Sequence, residues 1–194
     1  MTRRVLFVTH AEVVIDPAVP VPDWPLSPAG RLRHQAFSRS EAVRRVTAIH
    51  SSQERKARDA AAILSAATGV PAVEVHDLHE NDRSATGYLQ AAEFEATADL
   101  FFAHPTESVR GWERAIDAQA RIVGCVAAIV RADRGVGDIA IMAHGGVGAL
   151  LMAHLLGAPI SRRFDQPGRG GGNWFSHDPL TRQVLSGWRD IAGD

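Results

Sequence analysis

Two short apolar runs, each ending in a histidine, constrain this chain more than any other feature. The first is Val5-Leu6-Phe7-Val8-Thr9-His10-Ala11-Glu12, and the second is Ile139-Ala140-Ile141-Met142-Ala143-His144-Gly145-Gly146. Uninterrupted apolar runs of this kind fit buried strands of a parallel sheet. In open α/β sheets, ligands bind outside the carboxyl ends of the strands. The two imidazoles are therefore expected at one sheet edge, placed to act as a nucleophile and its electrophilic partner.

The segments between and after these runs alternate helix and strand. Pro17, Pro20, Pro22 and Pro25 mark residues 13–26 as an irregular loop long enough to carry function. Ser27-Pro28 starts a helix, with Ser as cap and Pro in the first position, expected to reach about Ala42. Val46–His50 reads as a strand, and a helix follows from about Glu54 to Thr68, stopped by Gly69 and Pro71. A short strand at Val73–Val75 leads into a loop over 76–88. Helical patterns cover 90–103 and 107–131, the second with Trp112, Ile116, Ile122, Val123, Val126 and Ile129 at core spacing. A strand over Asp138–Ala143, a helix over Gly146–Leu156, a Gly-rich loop (Pro167 to Gly172) and a terminal hairpin (Trp174–His177 with Gln183–Trp188) complete the chain. This order predicts an α/β fold, a three-layer α/β/α sandwich with a mostly parallel central sheet.

The chain has 194 residues, which suits a single domain over 1–194. Its formal net charge is −1, so no global field draws it to nucleic acid or to an anionic membrane, and any anion site must be local. Cys125 is the only cysteine, which fits a reducing compartment and a cytoplasmic location. The apolar run after Met1-Thr2-Arg3-Arg4 is too short for a signal-peptide core. Ile139 to Gly157 carries no formal charge, but its glycines and histidines divide it into strand, turn and helix instead of a membrane span. Exposed edges of the terminal hairpin leave room for a homodimer.

Three pieces of sequence carry chemistry. In Ala143-His144-Gly145-Gly146 a strand gives way to a helix within two residues, so helix N–H groups and dipole form an anion site beside His144. In Ser51-Ser52-Gln53-Glu54-Arg55-Lys56-Ala57-Arg58 three basic residues crowd the first turns of a helix. That placement is unfavourable for the helix itself, which suggests an anion among them. Leu78-His79-Glu80-Asn81-Asp82-Arg83 offers a carboxyl group and a guanidinium to the same edge. His76-x-x-His79-Glu80 lacks the helical spacing of a zinc protease motif, and Pro167–Gly172 lacks the Gly-Lys-Ser/Thr of a P-loop. No metal and no cofactor are expected. His34, His50, His104, His154 and His177 belong to no motif and read as structural, and Cys125 reads as a packed thiol.

Taken in order, these pieces resemble the histidine phosphatase superfamily, the phosphoglycerate-mutase-like phosphatases. The resemblance runs over about residues 4 to 157. It rests on Thr9-His10-Ala11-Glu12, Leu26-Ser27-Pro28-Ala29-Gly30-Arg31, Ser51-Ser52 with Lys56-Ala57, Leu78-His79-Glu80 and His144-Gly145-Gly146. It implies that His10 attacks phosphorus and becomes a phosphohistidine, that Glu80 protonates the leaving oxygen and then activates water, and that His144 and basic residues hold the equatorial oxygens. Elementary chemistry agrees. A neutral imidazole is a nucleophile, cations depress its pKa, and fixed positive groups stabilise a phosphoryl transition state. A small phosphorylated substrate or inorganic phosphate is the implied partner.

The chain departs from the family at Thr9 and Lys56, where the family has arginines, and at Ala11, where it has glycine. Lysine offers a point charge in place of a planar fork. Thr9, Arg55, Lys56, Arg83 and Gly145 are the candidate phosphate contacts, with Arg83 or Arg55 expected to restore lost charge and Arg169 a further source. Phosphomonoester hydrolysis leads. A catalytically impaired relative that binds a phosphorylated ligand is the alternative favoured by Thr9 and Lys56, and a phosphomutase is a third.

Overall fold

The computed structural model describes residues 3–168 and 170–193. Six strands, β1 (Val5–Thr9), β2 (Val46–Ser51), β3 (Ala72–Glu74), β4 (Asp138–Ala143), β5 (Asn173–His177) and β6 (Val184–Asp190), form one sheet in the order β3-β2-β4-β1-β5-β6. β1 to β4 are mutually parallel where they pair, and β5 runs antiparallel to both β1 and β6. Every residue of β1 and of β4 is buried, as their unbroken apolar sequences require.

Side-chain alternation along these strands feeds two cores. Leu6 and Val8 of β1, with Ala140 and Met142 of β4, pack against Phe37 of α1 (Pro28–Phe37) and Ala60, Ala61 and Leu64 of α2 (Arg55–Thr68). Val5, Phe7, Ile139 and Ile141 face the other way. They meet Ile122, Val126 and Ile129 of α4 (Ala115–Ala132) and Val147 and Leu151 of α5 (Gly145–Leu155). Phe101 and Phe102 of α3 (Ala91–Ala103) extend that second layer through Trp112, Ala115 and Leu150. The three-layer arrangement is the expected one. The segment from Ile139 to Gly157 divides into β4 and α5, and no helix of the described residues is long and apolar enough to cross a membrane.

Local signals fix several boundaries. Ser27 caps α1 by accepting from the Gly30 amide at 3.0 Å. Gly69 closes α2 in the left-handed conformation, φ 74°. Two boundaries differ from expectation. α1 ends at Phe37, not near Ala42, because Ser38, Arg39 and Ser40 turn the chain through tight backbone bonds, and Ser38 Oγ donates to the Gln35 carbonyl at 2.8 Å. α4 begins at Ala115, not near 107, because Arg110 and Gly111 hold φ of 54° and 83°, which no right-handed helix admits. Ile116, expected in the core, is exposed. Cys125 is buried in α4, where burial pushes its thiol up to about 11.

The register decides the site. Thr9 lies opposite Ala143 in the parallel β1–β4 pair, so the next residues on each strand, His10 and His144, leave the sheet side by side.

Candidate active site

His10 is held on every side by backbone. Its N–H donates to the Ala143 carbonyl at 3.2 Å, and its own carbonyl accepts from Gly172 at 2.8 Å. On the ring, Nδ1 lies 2.9 Å from the Ala11 carbonyl and must carry the proton to donate to it. Nε2 then keeps its lone pair. Burial first, and then the Lys56 ammonium, push the imidazole down to about 4, so it is neutral and nucleophilic at physiological pH.

The His144 ring meets that of His10 edge-on, with centroids 5.3 Å apart. His144 is fully buried at the junction of β4 and α5, and its two ring nitrogens have no hydrogen-bond partner among the described residues. Burial pushes it down to about 3, against the opposing pull of Glu54 and Glu80. The site therefore contains a buried neutral imidazole with polar capacity to spare.

Glu80 lies at the N-terminus of α5. Its carboxylate accepts from the amides of Gly146 at 3.0 Å, Val147 at 2.9 Å and Asn81 at 3.1 Å. The first amides of this helix, expected to face an anion, donate here to a carboxylate of the same chain.

Lys56 and Arg55 separate. Lys56 points inward, buried, and its ammonium donates to Glu54 at 2.5 Å and to the Val21 carbonyl at 2.9 Å. Arg55 points outward, exposed, and pairs with Asp59 at 3.2 Å. Glu54, which sequence reasoning passed over, also accepts from the Glu80 amide at 2.9 Å and stands 3.4 Å from His144 Nε2. Burial opposes its ionisation. The Lys56 ammonium beside it, together with hydrogen bonds from Lys56 and the Glu80 amide, outweighs this and holds the carboxyl well below the usual carboxylate range.

Thr9 is buried in a polar clasp: Oγ1 accepts from the Asn173 amide at 2.9 Å and donates to Gln166 at 2.6 Å. Gly145 faces the same Gln166, whose Nε2 would lie 2.3 Å from an added Cβ. Arg83 stacks over Phe94 and Trp112, 5.0 and 5.6 Å from the ring centroids. It lines a cavity of about 600 Å³ shared with Val21, Glu54, Glu80 and Asn81. Arg169 lies outside the described residues. The Gly-rich loop has a structural task instead: an added Cβ on Gly171, at φ 72°, would stand 2.2 Å from the His10 carbonyl. Arg33 braces this loop, donating to the Gly171 and Gly172 carbonyls and pairing with Glu12 and Asp190. The rings of His76 and His79 make local hydrogen bonds, to Asp77 and to the Glu80 carbonyl.

The sequence model of the histidine phosphatase superfamily, branch 1, matches residues 5–179. The chain belongs to this superfamily. The superfamily placement agrees with solved structures. A mycobacterial hydrolase aligns over the whole of both chains at 25% identity with a TM-score of 0.77. Mycobacterial glucosyl-3-phosphoglycerate phosphatase in complex with vanadate aligns over 96% of each chain at 26% identity with a TM-score of 0.73. The alpha-ribazole phosphatase of Shigella flexneri shares the fold over 98% of each chain at 17% identity, TM-score 0.72. No curated protein matches the sequence.

Proposed function

We propose that this superfamily member hydrolyses phosphomonoesters through a phosphohistidine on His10. The observation that carries this is the Nδ1 bond to the Ala11 carbonyl beside a neutral, unpartnered His144, which leaves Nε2 of His10 as the free nucleophilic atom. Nε2 attacks phosphorus while the P–O bond to the leaving alcohol breaks. Phosphoryl oxygens compete for the α5 amides, and Glu80, released from them and carrying a proton taken up from solvent, gives that proton to the leaving oxygen. Water then attacks the phosphohistidine, Glu80 takes its proton, and phosphate departs. His144, Lys56 and the Gly145 end of α5 hold the equatorial oxygens, with Arg83 adding charge from the cavity wall. Arg83→Ala is expected to weaken phosphate affinity severalfold, and unchanged affinity removes Arg83 from the site.

Incubation with 4-nitrophenyl phosphate tests the proposal. Expected are turnover and acid-labile phosphate on His10, both lost in His10→Ala. Turnover that survives His10→Ala overturns it. A second reading, binding of a phosphorylated ligand without turnover, is favoured by one observation: the Lys56 ammonium is already neutralised by Glu54. Inorganic phosphate bound without labelled histidine or released nitrophenol supports that reading.

A further inference from the structure

Glu54 is the largely buried group that neither the nucleophile nor the acid–base role uses. Its carboxylate takes the Lys56 ammonium and the Glu80 amide, and it stands beside the bare nitrogens of His144. These are the donors a phosphoryl oxygen would need. The charged and titratable groups facing it come from every wall: His10 at the end of β1, Lys56 on α2, Glu80 on the following loop, and His144 at the start of α5. Asp165 stands near enough for Glu80 to help raise its carboxyl, after burial. Lys56 is the cation whose charge reaches both imidazoles: at His10 it outweighs Glu54, and at His144 the opposing pull of Glu54 and Glu80 outweighs it.

A carboxylate only accepts hydrogen bonds. It receives a P–O–H group or tolerates a neutral ester oxygen, and it repels a second ionised oxygen. We propose that Glu54 makes the site selective for phosphoryl groups of single negative charge, met either by a singly protonated monoester or by a phosphodiester. This deepens the phosphoryl-transfer reading and rests on it for the location of the ligand. The chemical step is unchanged. His10 Nε2 forms the P–N bond as the P–O bond to one alcohol breaks and takes up a proton. Water then restores the imidazole, releasing phosphate from a monoester or a phosphomonoester from a diester.

The test compares kcat/KM for bis(4-nitrophenyl) phosphate and 4-nitrophenyl phosphate at about pH 8, above the second ionisation of a phosphomonoester at about 6. The leaving group is the same in both. The nearly isosteric Glu54→Gln changes charge without changing size, so it separates charge from the bulk of the second ester. Glu54→Gln is expected to shift the ratio toward the dianionic monoester by at least about tenfold, through KM of the monoester. An unchanged ratio in folded Glu54→Gln overturns the proposal. In the unmodified protein, inorganic phosphate titrated by calorimetry should bind at least about tenfold more weakly at pH 8 than at about pH 5.5, a range over which His10 and His144 stay neutral. Equal or tighter binding at pH 8 also overturns it. Diester turnover at pH 8 supports the proposal with a diester as the source, and monoester turnover climbing toward pH 6 supports it with the protonated monoester. The phosphate titration needs no turnover, so it still reads Glu54 if the hydrolase reading fails.

Discussion

The amide of Ala11 donates to Nε2 of the buried His34 at 3.1 Å. Ala11, whose carbonyl also orients the His10 ring, is thus pinned through its amide by an imidazole from α1. His34 belongs to no motif, yet it positions the nucleophile. Replacing it by Phe strands a buried N–H, which costs about 1–3 kcal/mol. His34→Phe is expected to lower kcat more than it raises KM, and His34→Gln, whose side-chain oxygen can accept from Ala11, should recover much of kcat. Equal kcat in both variants and in the parent chain would leave His34 a packing residue only.

The same residue makes stability depend on pH. Burial, then the Arg33 charge, push His34 from 6.5 down to about 4, and burial pushes His144 down to about 3. Below about 6.5 the unfolded chain binds protons that the folded chain refuses, so stability is full above that pH and is lost as pH falls toward 4 and then 3. Each site removes on the order of 3 kcal/mol over its window. Glu54 acts in the same direction lower down, since its depressed carboxyl contributes in full above the unfolded chain's carboxyl range and loses that contribution as pH falls below it. Urea unfolding at about pH 7 and about pH 4.5 should show the loss, and His34→Gln should reduce it by the share of one histidine. Parallel curves for the two proteins would refute the assignment.

Restoring an arginine at position 9 is expected to fail. Thr9 is 1% exposed and its hydroxyl joins the Asn173 amide to Gln166. Thr9→Val, close to it in shape, should cost about 1–3 kcal/mol through those lost bonds. Thr9→Arg must bury a guanidinium in a neutral clasp and should cost more than about 3 kcal/mol, with no gain in phosphate affinity. Thermal melting and phosphate titration read the two effects separately, and a folded Thr9→Arg with tighter phosphate binding would contradict the expectation.

What was legible in the sequence was what local chemistry determines. The apolar runs of β1 and β4 could only be central strands, and Ser27-Pro28 could only open a helix, so the placement of His10 beside His144 followed once the strands paired. The direction of Arg55 and Lys56 was not legible, because one residue step turns a helical side chain by about 100°, and which faces inward depends on how α2 sits on the sheet. Glu54 and His34 were missed for a related reason: each reaches the site across tertiary contacts that no spacing encodes. The Gly-rich loop advertised its freedom in sequence, but only the fold shows that Gly171 and Gly172 spend it on close approach to the His10 carbonyl.

Two glycines of α5 separate catalysis from packing. An added Cβ on Gly146 would stand 2.8 Å from Glu80 Oε1, whereas on Gly148 it would meet Trp188 at 2.8 Å and Phe7 at 2.9 Å. Gly146→Ala offers the helix up to about 1 kcal/mol of propensity and displaces a single flexible carboxylate. It should leave the melting temperature nearly unchanged while lowering kcat by at least about tenfold, because the added methyl crowds the place at the start of α5 where Glu80 and the phosphoryl oxygens exchange. Gly148→Ala forces two aromatic rings apart in a packed core and should cost about 1–3 kcal/mol in stability. At temperatures well below its melting point it should retain kcat. Melting curves and initial rates on both variants decide the matter, and a Gly146→Ala protein with full kcat would show that the position of the Glu80 carboxyl does not limit the reaction.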